Sequence, residues 1–268
     1  MASRAEDEVM RALLRPWELL TDPVFHGVEL LPDSGPCLFV GNHTIFGLLD
    51  LPLLVAHVYR ETGLFLRGLA EKAHYRIPVW RDFLTRFGAV DGSRENARTL
   101  LRDGEAVLVL PGGGREVAKR KGERYQLIWK QRMGFARLAI EARCPIVPFG
   151  AVGGEETYDI LVDADSAVMA PVRAAFERLG GRTELLFPLA RGFAGTPLPR
   201  PERFYFSFGE PIDTDRYGGR HEDGRAARGL RDRTRRAVQE QIDFLLEERE
   251  RDPDRDPMPR IARRLLPG

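Results

Sequence analysis

The chain has 268 residues, 43% hydrophobic and 30% charged, the balance of a soluble globular protein with a substantial core. Its formal net charge is +1, so no global basicity points to nucleic acid. Two cysteines, Cys37 and Cys144, are too few for a disulfide framework and read as small core residues. No apolar run approaches the ~18 residues that cross a bilayer, and the N-terminal stretch has no core of signal-peptide type. The expectation is a cytoplasmic protein whose membrane contact, if any, is peripheral.

In chain order, residues 5–20 are predicted as an amphipathic helix, with Val9, Leu13, Leu14, Trp17 and Leu20 at helical spacing among Arg4, Arg11 and Arg15. Such a stripe either packs on the domain or lies in a lipid interface with arginines at the headgroups. Then come strand Cys37–Val40, helix Leu48–Tyr59, strand Gly63–Gly68, a helix near Val79–Phe87 and strand Gly88–Asp91. A helix over Arg94–Asp103 is stopped by Gly104, and strand Ala106–Leu110 follows. Helix Gly134–Ala142 leads into strand Pro145–Ala151; residues 155–182 read as a helical insertion. Strand Phe204–Phe208 and helix Gly229–Glu250 complete the pattern. Short apolar strands alternating with helices predict an α/β fold, a mixed, largely parallel sheet flanked by helices. The predicted organisation is one domain over 1–251: an amphipathic segment 1–33, a core 34–215 and a C-terminal helix in 216–251. Residues 252–268, rich in Asp, Pro and Arg, read as a loose tail.

Four segments carry chemistry. The run Leu38-Phe39-Val40 ends abruptly in Gly41-Asn42-His43, and Gly47 opens an apolar stretch containing Asp50. A histidine at a strand-to-helix junction, oriented by a nearby carboxylate, is how a general base is built, because neutral imidazole titrates near working pH. Strand Ala106–Leu110 runs into Pro111-Gly112-Gly113-Gly114-Arg115-Glu116, where glycines let backbone N–H groups approach a ligand and Arg115 adds fixed charge. Upstream, Phe87-Gly88-Ala89-Val90-Asp91-Gly92-Ser93-Arg94 is a strand-like run ending in Arg. Downstream, Cys144-Pro145-Ile146-Val147-Pro148 is an apolar strand framed by prolines. The basic run Lys119-Arg120-Lys121-Gly122-Glu123-Arg124 is either solvated surface or a seat for phosphates or an anionic membrane.

In this order the four segments resemble the signature blocks of the lysophospholipid/glycerolipid acyltransferase superfamily. Those blocks are a His-x4-Asp pair, a Gly-rich segment ending in Arg, a Phe-Pro-Glu-Gly-Thr-Arg-like loop and an apolar Val-Pro strand. The resemblance spans residues 36–150 and extends more weakly to about 212. It is greatest to the diacylglycerol and wax-ester/phytyl-ester-type branch, which carries Gly-Asn-His and Pro-Gly-Gly-x-Arg-Glu variants. Two departures stand out. Asp50 lies seven residues after His43 rather than five, a separation of about 10 Å on a continuous helix, so contact requires 44–47 to be a loop. If the loop does not fold back, Glu116 is the alternative orienting acid. Gly112 stands where the family usually places Glu, a carboxylate that the resemblance links to phosphorylated glycerol acceptors.

The resemblance implies transfer of an acyl group from acyl-CoA, as co-substrate, to a lipid hydroxyl, with no further cofactor. His43 takes the base role, with Asp50 and then Glu116 as the orienting acid. Backbone N–H groups of Gly113 and Gly114 become oxyanion donors. Asn42, Arg94, Gly112, Arg115 and Pro148 complete the expected substrate-binding set. Partners implied are acyl-CoA, a lipid alcohol or glycerolipid and a membrane surface. The leading function is O-acyl transfer to a neutral acceptor such as diacylglycerol or a long-chain alcohol. The alternatives are a lysophosphatidate or lysophospholipid acyltransferase, or an inactive lipid-binding homologue. A nucleotide-binding enzyme is disfavoured because no Gly-Lys-Ser/Thr follows the glycines. No Gly-x-Ser-x-Gly elbow and no metal-ligand spacing is present.

Overall fold

The computed structural model describes residues 4–47, 49–70, 78–86, 88–257, 259 and 260. Its framework is a seven-stranded sheet of order β1-β9-β6-β2-β5-β3-β4. The strands are β1 (Val24–His26), β2 (Cys37–Gly41), β3 (Leu66–Ala70), β4 (Val90–Asp91), β5 (Ala106–Val109), β6 (Ile146–Val152) and β9 (Tyr205–Phe208). Only β6 and β9 pair antiparallel; every other neighbouring pair is parallel. The predicted mixed, largely parallel α/β sheet is therefore what the chain forms.

Side chains alternate across a strand, so one strand serves two cores. Cys37 and Phe39 of β2 face the helix α2 (Leu51–Thr62), with Leu53, Leu54, Val55 and Val58 buried there. Leu38 and Val40 face the opposite layer, made by α4 (Arg94–Arg102), α6 (Gly134–Ala142) and α8 (Gly224–Arg251). Both faces of the central strands are covered, which is why β2 is apolar throughout rather than alternating. The carboxyl ends of β2, β5 and β6 lie side by side, and the loops leaving them share one edge. In open α/β sheets that edge is where ligands bind.

The helix α1 (Arg4–Thr21) packs as well as exposes its apolar stripe. Leu14 is buried, and Trp17 turns inward, donating from Nε1 to the Leu49 carbonyl at 2.8 Å and meeting Phe204 edge-on. Leu13, Leu19 and Leu20 face outward. Packing therefore accounts for Trp17. Among the described residues no helix is long and apolar enough to cross a membrane.

Helix α3 (Pro78–Arg86) lies within a residue of its expected bounds, but the structure departs from the sequence reading elsewhere. Helix α2 starts at Leu51, three residues later than expected, because Asp50 accepts the Leu51 N–H as its cap and Pro52 suits a first helical turn. The strand β1 was missed; three residues give no period to read. Helix α8 starts five residues early, since Asp223 accepts from Arg225 and Ala226 and outweighs the low propensity of Gly224 and Gly229. The region 155–182 is only partly helical: β7 (Asp159–Val162) pairs antiparallel with β8 (Leu189–Arg191) and flanks α7 (Ala170–Arg178). Short polar runs with isolated apolar residues do not distinguish these states. Beyond α8, Arg260 is buried and donates to the Leu20 and Pro201 carbonyls at 2.6 Å each. This part of the expected loose tail folds back onto the end of α1.

Candidate active site

The site begins where β2 runs out. Asn42, fully buried, takes over from the ladder: its Nδ2 donates to the Ala151 carbonyl at 2.9 Å and its Oδ1 accepts the Ala151 N–H at 2.8 Å. One amide thus continues the β2–β6 pairing past Gly41↔Phe149 and fixes where the next residue leaves the sheet. Asn42 therefore acts as a clamp on the sheet edge, with one bond donated and one accepted.

That next residue is His43, half-buried at the carboxyl edge. The chain then turns sharply: Gly47 donates to the Thr44 carbonyl at 3.1 Å, and Phe46 and Gly47 have φ of +59° and +60°. The expected loop over 44–47 is present, and glycine at 47 has a second cause. A Cβ there would lie 2.2 Å from His43 Cε1. The imidazole rests on the bare backbone of Gly47, whose missing side chain sets the ring's position. The loop brings Asp50 back to Thr44. Its Oδ2 accepts from the Thr44 hydroxyl at 2.9 Å and its Oδ1 from Leu51 N–H at 2.9 Å, in full burial. Asp50 closes the turn that carries His43 and caps α2. Burial raises its carboxyl above the usual range, against the Thr44 and Leu51 hydrogen bonds and the charge of Lys119.

Glu116 approaches from the other side. It sits in α5 (Gly113–Val117), a short helix the glycines concealed, and is fully buried. Its Oε2 accepts the backbone N–H of His43 at 3.3 Å and its Oε1 that of Ile128 at 3.1 Å. Phe46 N–H donates to the Val117 carbonyl at 3.2 Å, so the His43 turn is pinned to α5 twice. Burial raises the Glu116 carboxyl to about 7, opposed chiefly by Lys119.

The glycine run has steric causes. A Cβ on Gly112 would fall 2.0 Å from Glu116 Oε2, so the space beside residue 112 is filled by the carboxylate from one turn later. A Cβ on Gly113 would fall 2.9 Å from Arg132 Nη1. Gly113 N–H is spent on the Leu110 carbonyl at 3.0 Å, which leaves Gly114 as the remaining glycine for an oxyanion. Arg115 is expected to meet an anion, but its fork is taken by Glu123 at 2.9 and 2.5 Å. An incoming phosphate has to displace that carboxylate. Arg94 begins α4, is exposed, and has no carboxylate partner among the described residues. Pro148 lies buried inside β6 opposite Val40, at the point where β9 ends and no ladder N–H is needed. Its carbonyl accepts the Gly209 N–H at 2.8 Å, so it shapes the sheet.

A Lys119–Glu155 pair, absent from the sequence reading, closes the floor. Lys119 Nζ meets Glu155 Oε1 at 2.8 Å with the side chains 1% and 2% exposed. Burial raises the Glu155 carboxyl and Lys119 opposes it. One lysine thus faces three buried carboxylates, Asp50, Glu116 and Glu155. The rest of the basic run is also engaged: Arg120 donates to the Ala118 and Leu186 carbonyls and Lys121 to Leu161. A signal existed in composition, since lysine occurs only at 72, 119, 121 and 130 in an arginine-rich chain.

The Acyltransferase family model matches residues 22–152, from the end of α1 through β6, and takes in every element of this site except Glu155. The chain belongs to the acyltransferase family. Phytyl ester synthase 2 of Arabidopsis thaliana, a chloroplastic protein, is 33% identical over 260 residues, covering 89% of this chain and 36% of that protein. The DGAT1/2-independent enzyme synthesizing storage lipids of Homo sapiens is 31% identical over 184 residues, covering 65% of this chain and 53% of that protein. The chain therefore spans about a third of the plant relative and half of the human one. The crystal structure of the 1-acyl-sn-glycerophosphate (LPA) acyltransferase PlsC of Thermotoga maritima aligns with TM-score 0.47 and 17% identity, over 89% of this chain and 83% of that one.

Proposed function

We propose that this chain is an O-acyltransferase that moves a fatty acyl group from acyl-CoA to the hydroxyl of a neutral lipid, diacylglycerol or a long-chain alcohol. What carries the reading is His43, seated on Gly47 at the ligand-binding edge of the sheet, its backbone fixed by Glu116 and its turn closed by Asp50. His43 accepts the proton of the acceptor hydroxyl as that oxygen attacks the thioester carbonyl. The carbonyl oxygen becomes an oxyanion, for which Gly114 N–H is the assigned donor. Collapse forms the ester C–O bond, breaks C–S, and returns the proton from imidazolium to the departing thiolate. The neutral acceptor is supported by Gly112: no side chain fits there beside Glu116, so the carboxylate that the family associates with phosphorylated acceptors is absent.

The test is turnover of the purified protein with matched acyl-CoA and detergent, comparing diacylglycerol and a long-chain alcohol with lysophosphatidate by mass spectrometry. Diacylglycerol or the alcohol is expected to be the better acceptor. A preference of about tenfold for lysophosphatidate, about 1.4 kcal/mol of transition-state discrimination, overturns the choice of acceptor. No thiol release with any acceptor favours a lipid-binding homologue instead.

A water-insoluble acceptor calls for peripheral contact with lipid. Leu13 and Leu20 on the outer side of α1, exposed at 59% and 42%, form the contact stripe we assign. Leu13→Asp/Leu20→Asp is expected to weaken co-flotation with phospholipid vesicles while leaving Tm unchanged. Intact protein that stays at the bottom of the gradient removes this contact.

A further inference from the structure

Beyond the carboxyl ends of β3, β4 and β5 lies a groove of about 1210 Å³, on the far side of the Pro111 turn from the acids that hold His43. Leu69 and Val109 line it from the sheet, and Phe176 and Leu185 from the region around α7. Its charged lining comprises Asp91, Arg94, Arg132, Arg137 and Arg182; Arg94 is exposed at the start of α4 and has no carboxylate partner among the described residues. Arg137 pairs with Glu222 and Arg182 with Glu184. Arg132 does not pair. It is half-buried, and among the described residues its only hydrogen bonds run from Nη1 to the carbonyls of Pro111 at 2.8 Å and Gly112 at 2.7 Å.

A guanidinium carries five N–H donors in a planar fork suited to two anionic oxygens. Here one nitrogen braces a turn and no carboxylate balances the charge. Two carbonyl dipoles offset a half-buried cation only in part. A phosphate on the free side of the fork completes the pairing, with charge-assisted bonds of the strong kind. The long, partly apolar walls suit an extended ligand rather than a lone ion. With a neutral acceptor, the donor is the substrate that brings phosphate.

We propose that Arg132 seats a phosphate of the acyl donor's carrier in this groove while bracing the Pro111–Gly112 turn. The inference rests on the acyl-CoA reading above. It also accounts for Gly113, whose φ is +53° and whose side-chain position is taken by the Arg132 fork. The turn so braced leads one helical turn later to Glu116, hence to the His43 amide. Donor binding and base placement therefore share one piece of backbone.

Calorimetric titration of the intact protein tests this with coenzyme A, pantetheine lacking phosphate, and lysophosphatidate. Arg132→Met is expected to weaken coenzyme A at least tenfold and leave pantetheine unchanged. Arg132→Lys retains part of the affinity. Gly113→Ala, which keeps the charge but displaces the fork, loses it as Arg132→Met does; this covers the case in which the methionine variant folds poorly. Coenzyme A bound equally by wild type and all three variants overturns the site. Wild type that ignores coenzyme A overturns the acyl-CoA reading itself. If it then binds lysophosphatidate in an Arg132-dependent way, the anion belongs to a phospholipid and the donor assignment is overturned.

Discussion

Replacing His43 with alanine is expected to lower acyl transfer by about 10²–10⁴-fold, the usual contribution of a positioned general base, with Tm nearly unchanged. The ring is only half-buried and its backbone amide, not its side chain, holds the Glu116 bond. The fold therefore loses little when the imidazole goes. Gly47→Ala should give a similar loss with His43 still present, because the added methyl enters the space of the ring. Asp50→Asn and Glu116→Gln then divide the acids. Asp50 receives Thr44 and Leu51, so its amide variant disturbs the turn and the start of α2 together, lowering turnover and Tm in step. Glu116 receives two backbone N–H groups, and Gln offers only one acceptor oxygen to them. Near-native turnover in His43→Ala would falsify the base assignment. A severe loss at Glu116→Gln beside a mild one at Asp50→Asn moves the orienting role to Glu116.

Lys119→Met is expected to cost about 3–5 kcal/mol of stability, as removing one member of a buried ion pair does. Glu155 loses its partner at 2.8 Å, and Asp50 and Glu116 lose a nearby cation. All three carboxyls are already raised by burial, and without the lysine they rise further. A carboxyl raised in the folded state contributes most below its unfolded midpoint, and that contribution is lost as pH rises through the folded one. The variant should therefore weaken more steeply than wild type as pH rises past about 7, the Glu116 midpoint. Lys119→Met/Glu155→Leu should recover much of the loss, since an apolar pair of similar volume removes both desolvated charges. Urea midpoints at pH 6 and pH 8 give the whole cycle. Equal slopes for Lys119→Met and wild type would show that the lysine does not couple to these acids.

How much was legible depended on whether a signal was local. Cys37–Gly41, Ala106–Val109 and Ile146–Val152 are apolar runs bounded by turn residues, and each is a strand within a residue or two of its predicted ends. His43 was found because a polar Gly-Asn-His interrupts such a run. Asp50 was found as an acid but not as a cap, because capping depends on where the turn before it closes. The partners of Asn42, Arg115 and Arg132 lie elsewhere in the chain or across a short helix, and no spacing rule foretells them. Lys119 and Glu155 were hardest: each looks like ordinary surface charge, and only the fold brings them together in the interior.

The segment between β6 and β9 is held to the rest of the domain in an unusual way. Lys121 reaches the Leu161 carbonyl and Arg120 that of Leu186, while within the segment Arg200 closes on the Glu156 carbonyl and Arg173 on those of Ala164 and Ser166. These acceptors are main-chain oxygens, which every amino acid supplies; Asp163, Glu184 and Glu155 add side-chain acceptors for the Lys121 N–H, Lys130 and Lys119. The carbonyl part of this attachment records the path of the backbone, and the side-chain part is confined to a few acids, so the exposed apolar side chains of the segment take no part in it. Leu161, Leu189 and Phe193, which point away, are released from any duty in anchoring. Across descendants of this chain the segment can keep its trace while its outer face drifts in size and polarity. Diversity should concentrate there, with the cationic tethers at 120, 121 and 173 held constant.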